Sequence, residues 1–263
     1  MEKSPKTAAE IPLIEMIDAA ITSLQTDASV GAEAINWRVL PETFWVIGGW
    51  FGSGKSDFLA TMAGLQRPGK GVVKIFGHET FTLREEILVE HRQRMGVVFS
   101  NGGRLFNRLT IAENVALPLR YHQNWTEAQA EDSVREVLEL TEIISFARKI
   151  PSALSPSWQQ RAALARALIL KPEILLLDKP LLGMDARHQR WWLDFLPKLS
   201  EGSAFYGGKR ITIVATTENL QLWKDVAQQF ALLKMNRWQE IGGRAELDAS
   251  GEALLNEVWA DES

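Results

Sequence analysis

Residues 49–56 have the sequence Gly49-Trp50-Phe51-Gly52-Ser53-Gly54-Lys55-Ser56. This stretch has the spacing G-x-x-x-x-G-K-[ST], which is typical of a phosphate-binding loop. Its glycines allow a tight turn in which successive backbone N–H groups point at phosphate oxygens. An apolar run at residues 43–48 precedes the loop, and a helical pattern at residues 56–63 follows it. Strand, loop and helix in this order are the context that the motif requires, so the sequence predicts an α/β nucleotide-binding fold.

Three side chains at the end of the loop have expected roles toward a nucleoside triphosphate. Lys55 is expected to reach the β- and γ-phosphates, and Ser56 is expected to bind Mg²⁺. The next residue, Asp57, is unusual because its carboxylate would lie near the α-phosphate and weaken binding. The sequence therefore predicts a nucleotide site at residues 49–57, with ATP and Mg²⁺ as cofactors.

Composition limits the class of protein. A chain of 263 residues with 46% hydrophobic residues suits one large α/β domain with a substantial core. The net charge of −4 argues against nucleic acid as the main partner, and the absence of cysteine excludes a disulfide framework. No apolar run approaches the length of about 18 residues that a membrane-spanning helix needs. We expect a cytoplasmic protein, which could dock on a membrane protein.

Apolar patterns outside the loop predict the other elements. Residues 1–10 are polar, lead into no apolar signal segment and are expected to be flexible. Alternating patches between positions 11 and 48 predict antiparallel strands. Residues 107–150 are predicted to be mainly helical, with a capping box at residues 126–129. The tail at 251–263 is acidic. Further strands are predicted at 71–76, 95–99, 174–178, 211–215 and 230–233, and a further helix is predicted at 157–170.

The order and spacing of these motifs resemble an ATP-binding cassette (ABC) nucleotide-binding domain over nearly the whole chain. Residues 154–161, Leu-Ser-Pro-Ser-Trp-Gln-Gln-Arg, lie where the family has its L-S-G-G-Q-Q-Q-R signature. Asp178 follows the apolar Walker B strand, and residues 217–220, Thr-Glu-Asn-Leu, occupy the T-H-D-L switch. Residues 105–119 resemble the segment that couples such domains to a permease, particularly in bacterial lipid-trafficking systems.

This resemblance implies a P-loop NTPase of ABC type. The expected fold is α/β, with a mostly parallel core sheet, an antiparallel β subdomain and an inserted helical subdomain at about residues 100–160. The ABC-type domain is expected to span residues 11–250. Ser56 and Asp178 are expected to hold Mg²⁺. The expected partners are a membrane permease subunit and a second ABC ATP-binding subunit, in a homodimer or a heterodimer.

Three catalytic positions depart from the family's pattern. Lys179 follows the Walker B aspartate, where the family has a glutamate that polarises the attacking water, and a charged lysine cannot accept a proton. Glu218 occupies the place of the switch histidine and would repel the γ-phosphate. Ser100 occupies the place of the Q-loop glutamine and is too short to reach the metal and the water. These departures predict severely impaired hydrolysis.

The signature loop departs as well. Ser155 is retained as a donor to the partner's γ-phosphate. Pro156 has no N–H to offer, Ser157 adds bulk where the phosphate approaches, and Trp158 fills a glutamine position, followed by Gln159. The family also stacks adenine on an early aromatic residue, and the first aromatic residue of this chain is Trp37. Trp37 either replaces that residue or packs in the core.

Two functions remain open at this point. The chain is either a degenerate ATP-binding subunit coupled to a permease, or a non-enzymatic regulator or scaffold that uses the ABC fold to bind nucleotide. Residues 105–119 favour the first, and the altered signature favours the second. The exchanged charges of Lys179 and Glu218 suggest an ion pair near the γ-phosphate position, and the alternative is that each side chain points into solvent. Trp191 and Trp192 mark either a contact surface or simple helix packing.

Overall fold

The computed structural model describes residues 11–22, 32–100, 104–234 and 237–250 of the chain. The predictions for residues 1–10 and 251–263 therefore lie outside the described residues. The described strands are β1 (Ile14–Ala20), β2 (Ile35–Val39), β3 (Phe44–Gly48), β4 (Lys70–Ile75), β5 (His78–Glu79), β6 (Met95–Val98), β7 (Ile174–Leu177), β8 (Thr212–Thr217), β9 (Gln229–Lys234) and β10 (Arg237–Gly242). The described α-helices are α1 (Lys55–Met62), α2 (Glu85–Gln93), α3 (Ile111–Gln123), α4 (Glu127–Leu140), α5 (Pro156–Leu168) and α6 (Ala186–Ser200).

A six-stranded sheet forms the centre of the fold, in the order β10-β9-β3-β8-β7-β6. Strand β10 pairs antiparallel with β9, and the other neighbouring pairs are parallel. The inner strands β3 and β7 have no polar side chain, as is typical of a sheet with both faces covered. Phe44 and Val46 face one core while Trp45 and Ile47 face the other, since successive side chains of a strand alternate.

A second, antiparallel sheet has the order β2-β1-β4-β5 and covers one face of the central sheet. Trp37 of β2 lies between these layers and is only 3% exposed. Its ring centroid lies 5.2 Å from that of Trp45, 5.7 Å from that of Phe58 and 4.9 Å from that of Trp238. The prediction that Trp37 packs in the core is confirmed, and its ring faces are occupied by protein rather than available to a base.

Helices α3 and α4 are inserted between β6 and β7 in the chain. Both begin at capping boxes, at Thr110 with Glu113 and at Thr126 with Gln129. The second of these is the box that the sequence predicts. Asn114 in α3 is fully buried and its side chain bonds both backbone groups of Phe106, so the loop before α3 is fixed to the helix.

The predicted α/β fold, with a mostly parallel core, an antiparallel sheet and inserted helices, is confirmed. The predicted strands at 71–76, 95–99, 174–178, 211–215 and 230–233 match β4, β6, β7, β8 and β9 within one or two residues at most ends. Strands β7 and β8 are parallel neighbours. The sequence did not predict α2 or β10, because both are largely solvent-exposed and polar, so they lack a clear apolar stripe.

Candidate functional site

The loop at residues 49–54 favours glycine at its two ends, for a steric reason at Gly49 and a conformational reason at Gly54. A Cβ on Gly49 would lie 2.4 Å from the backbone oxygen of Leu233. Gly54 has a φ of 85° and caps α1 without a side-chain hydrogen bond. The first N–H groups of α1 consequently face the loop without a capping side chain, which is the arrangement that binds phosphate at a helix N-terminus.

Lys55 is held inside this loop and is 3% exposed. Its ammonium donates hydrogen bonds to the carbonyl oxygens of Gly49 at 2.6 Å and Trp50 at 2.5 Å, and to Ser53 Oγ at 3.3 Å. Burial lowers the pKa of Lys55 to about 8, opposed by the negative charge of Glu218 and assisted by the positive charge of Lys179. The loop carbonyls thus hold the Lys55 ammonium in the position from which it could bind a phosphate.

The buried carboxylate of Asp178 accepts hydrogen bonds from three hydroxyl groups, which come from three separate parts of the chain. Ser56 Oγ lies 3.1 Å and 3.0 Å from its two oxygens, Ser100 Oγ lies 3.0 Å from Oδ2, and Thr216 Oγ1 lies 3.1 Å from Oδ1. Asp178 itself is 3% exposed. A carboxylate and a serine hydroxyl are hard oxygen ligands that suit Mg²⁺, which takes its remaining ligands from water and substrate phosphates. The residues present therefore fit a magnesium ion beside the phosphate loop.

Two residues that form or position these contacts of Asp178 were not predicted from the sequence. Thr216, at the end of β8, bonds Asp178 and also accepts the backbone N–H of Lys179 at 2.9 Å. Gln160, from α5, donates to the carbonyl of Phe99 at 2.9 Å and so fixes the position of the adjacent Ser100. The signal available in the sequence for Thr216 was the pair of threonines at the end of β8.

Lys179 is half-buried at the edge of the sheet, with a φ of 44°. Its ammonium lies over the ring of Phe51, 5.8 Å from the ring centroid. Phe51 belongs to the phosphate loop and is 84% exposed. The structure thus brings the lysine that follows β7 against the tip of the phosphate loop.

The predicted ion pair between Lys179 and Glu218 is wrong. Within the part of the chain that the structure describes, the ion pairs closer than 4.0 Å do not join these two residues. Glu218 is exposed just beyond β8, while Lys179 is directed to Phe51. An exposed carboxylate is stabilised by water and needs no ionic partner. The alternative expectation, a side chain in solvent, is therefore the one observed for Glu218.

The signature residues form the start of α5. Ser155 is the exposed N-cap residue without a side-chain cap bond, and Pro156 is the first helical residue. Proline is favoured at this position because its missing N–H would have no helical partner. Ser157 is half-buried in the first turn. Gln159 Nε2 donates to the carbonyls of Pro151 and Leu154, both at 3.0 Å, and so ties the preceding turn to the helix.

Trp158 is part of an aromatic cluster rather than of the open helix end. Its ring lies 4.8 Å from His188 and 5.0 Å from Phe146. The guanidinium of Arg161, 2% exposed, lies 4.6 Å from the Trp158 ring and 3.7 Å from the Trp191 ring. Trp192, the neighbour of Trp191, is fully buried, so this tryptophan pair serves helix packing.

The described residues match neither the pattern of a protein-only metal site nor that of a membrane-spanning helix. Groups of three or more His, Cys, Asp or Glu side chains placed to hold a metal ion do not occur among them. A magnesium ion here would depend on Asp178, Ser56 and phosphate oxygens. In the same part of the chain, every helix is too short or too polar to cross a membrane.

Comparison with known proteins identifies the family. The ABC transporter family matches residues 32–182, which is more than half of the chain. The methionine import ATP-binding protein MetN 1 of Acinetobacter baylyi is 33% identical over 73% of this chain and 51% of its own length. An Archaeoglobus fulgidus protein named as an ABC transporter ATP-binding protein is 32% identical over 87% of this chain and 90% of its own length. The chain thus spans about half of the first relative and most of the second.

Solved structures agree with this assignment. A dimeric ATP-binding cassette in a post-hydrolysis state, bound to ADP and Pi, superposes with a TM-score of 0.74 and 28% identity. The superposition covers 88% of this chain and 99% of the other. Proteins of this family bind nucleotide with Mg²⁺, form dimers and work with membrane permease components. On the sequence match and the shared fold together, the chain belongs to the ABC transporter family of ATP-binding proteins.

Proposed function

We propose that the chain is the ATP-binding subunit of an ABC transporter that binds MgATP but hydrolyses it far more slowly than a competent family member. The observation that carries this proposal is the contrast at one sheet edge. The hydrogen-bonded pair of Ser56 and Asp178 beside the phosphate loop supports binding of MgATP, while the residue after Asp178 is Lys179.

Nucleotide binding is assigned to residues 49–57. The loop N–H groups and the start of α1 would cradle the phosphates, and Lys55 would exchange its carbonyl partners for phosphate oxygens. Ser56 and Asp178 would hold Mg²⁺, which supplies charge neutralisation between the β- and γ-phosphates when it is bound. Asp57, half-buried in the first turn of α1, stays a predicted weakening element.

Slow hydrolysis follows from the groups that face the γ-phosphate position. Lys179 cannot accept a proton while it is charged, and Glu218 offers repulsion in place of a donor. Ser100 is engaged with Asp178 at 3.0 Å instead of reaching outward to a water. Loss of a single well-placed polar group often lowers a rate by about 10²–10³-fold, so three replacements are enough to suppress turnover.

Permease contact is assigned to residues 105–119. Phe106, just before α3, is 59% exposed although its backbone is held in place by Asn114. Helix α3 also lines a cavity of about 780 Å³, together with α4 and residues 144–148. A rigid segment with an exposed aromatic residue suits docking to an apolar partner. Through such a permease the chain would lie at the cytoplasmic face of the membrane, and the resemblance to lipid-trafficking systems stays a prediction.

The second subunit of the pair is assigned to the face that carries Ser155. An identical or a different ABC subunit would bring its own phosphate loop against this face, and the similar solved cassette is a dimer. The altered signature favours the second candidate function, a nucleotide-binding regulator or scaffold. Pro156 offers no N–H to a partner's phosphate, and Trp158 is packed against Phe146 and His188.

Isothermal titration with MgATP tests nucleotide binding. Saturable binding by the wild type and its loss in Lys55→Ala are expected, with Lys209→Ala as a matched control. Lys209 is exposed and precedes β8, at the opposite end of the strand from Thr216. Failure of the wild type to bind MgATP, or equal binding by Lys55→Ala, would contradict the assignment of the site.

Co-purification from native membranes separates the two functions. An ATP-binding subunit is expected to bring down a membrane-spanning protein, and Phe106→Asp is expected to weaken that capture. Leu65→Asp, at a residue that is 49% exposed after α1, is the matched control. Capture of no membrane-spanning protein would favour the regulator or scaffold.

A further inference from the structure

Lys179 is held in place on the phosphate-loop side of the sheet. Its backbone N–H donates to Thr216 Oγ1 at 2.9 Å, and Thr216 in turn bonds Asp178. Its ammonium lies 5.8 Å from the centre of the Phe51 ring, within the loop that would hold the phosphates. Both ends of the residue are therefore tied to the site, one through the backbone and the other through its charge.

Charged groups of both signs surround this position, because the carboxylates of Glu218 and Asp178 raise the pKa of Lys55 and the ammonium of Lys179 lowers it. Burial has the largest effect on that pKa, and the repulsion between the ammonium groups of Lys55 and Lys179 acts in the same direction. Among the described ion pairs, Lys179 has none with Glu218 or with Asp178. Two ammonium groups that converge on one loop and repel each other are both stabilised when an anion lies between them.

We infer that Lys179 is a second phosphate-binding cation, which contacts the terminal phosphate of a nucleoside triphosphate and makes its binding only weakly dependent on Mg²⁺. This inference rests on the proposed nucleotide site at residues 49–57. Replacement of the family's glutamate removes a proton acceptor, and the inference adds a phosphate-binding role for the lysine that stands there.

Charge and reach both support this role. An ammonium is a compact point charge that binds phosphate oxygens well, and charge-assisted hydrogen bonds are about twice as strong as neutral ones. A cation supplied by the protein would replace part of the neutralisation that Mg²⁺ gives to the phosphates. Because the ammonium lies over Phe51 in the phosphate loop, where we place the terminal phosphate, the effect should fall on a triphosphate more than on a diphosphate.

The test measures binding of ATP and ADP by isothermal titration, each in Mg²⁺ and in EDTA, without any measurement of turnover. The wild type is expected to bind ATP in EDTA within about tenfold of its affinity in Mg²⁺, and Lys179→Gln is expected to lose about tenfold or more for ATP in EDTA. Binding of ADP should change little. Lys209→Gln, at the opposite sheet edge, should match the wild type.

Two further variants guard against misfolding. Lys179→Asn also removes the charge, and asparagine tolerates the positive φ of 44° at this position. Lys179→Arg keeps the charge and should retain binding in EDTA. Unchanged or tighter binding of ATP in EDTA by the neutral variants would overturn the inference, as would an equal loss for ADP. Absence of binding by the wild type even in Mg²⁺ would instead overturn the proposed nucleotide site.

Discussion

The hydroxyl of Ser100 donates a hydrogen bond of 3.0 Å to Oδ2 of Asp178. Ser100 lies where the family has a longer glutamine, and here the shorter side chain turns inward to the carboxylate. Asp178 is 3% exposed, so each hydroxyl that it accepts offsets part of the cost of burying its charge. The altered position thus has a structural role of its own.

Ser100→Ala is expected to lower the free energy of unfolding by about 1–2 kcal/mol, since a hydrogen bond to a buried charged group is lost. Urea denaturation followed by circular dichroism measures this change. Ser152→Ala is the matched control, because Ser152 is exposed in the turn before α5 and should change stability by less than about 0.5 kcal/mol. Equal stability of both variants would show that the bond to Asp178 contributes nothing.

The affinity for MgATP is expected to fall as the pH rises through about 8. Free Lys55 loses its proton there, because burial lowers its pKa to about 8, while a bound triphosphate would keep it charged. The complex therefore holds a proton that the free protein has lost, and at about pH 9 the affinity should be roughly tenfold weaker than at about pH 7.

Titration in two buffers of different ionisation enthalpy checks the same linkage. The measured binding enthalpy should depend on the buffer above about pH 8 and not below about pH 7, because proton uptake occurs only in the higher range. Lys209→Gln serves as the control, since Lys209 is exposed at the opposite end of β8 and its removal should leave the dependence unchanged. An affinity for MgATP that stays constant between about pH 7 and pH 9 would contradict the lowered pKa of the buried Lys55.

Lys179→Glu alone is expected to leave turnover near background. The carboxylate would return, but Glu218 would still repel the γ-phosphate, Ser100 would still face Asp178, and residues that act as a unit are not additive. Steady-state phosphate release measures the outcome, with the triple variant Lys179→Glu, Glu218→His and Ser100→Gln expected to be faster. A single variant that reaches about 1 s⁻¹, ordinary for enzymes, would show that the other two positions matter little.

Trp158→Ala is expected to lower the free energy of unfolding by about 2–4 kcal/mol, because it removes ring contacts and leaves the buried Arg161 with one aromatic partner. Trp50→Ala is the matched control, since Trp50 is 41% exposed. Thermal and urea unfolding of the two variants compare them directly. A loss no larger for Trp158 than for Trp50 would contradict the structural role of the aromatic cluster.

Sequence reasoning predicted the parts of this protein that depend on local pattern. The phosphate loop, the continuous apolar strands and the capping box at Thr126 are each encoded within a few neighbouring residues. The contacts of Thr216 and Gln160 join residues far apart in the chain, and no spacing rule shows them.

The ion pair between Lys179 and Glu218 shows the limit of charge arguments from sequence. Lys179 follows β7 and Glu218 follows β8, which are neighbouring strands, yet the proximity of the backbones did not pair the side chains. Glu218 is exposed and stays solvated, and Lys179 lies over the ring of Phe51 instead. Side-chain direction and solvation decide such contacts, and both depend on the folded surroundings.

The most direct test of binding without turnover is the chemical state of bound nucleotide. The full chain is incubated with ATP labelled at the γ-phosphate and Mg²⁺, separated from free nucleotide, denatured and analysed for ATP, ADP and released phosphate. The account predicts that the bound nucleotide is recovered as intact ATP after incubation for many minutes. Recovery as ADP, formed at a rate of about 1 s⁻¹ or faster, would contradict it.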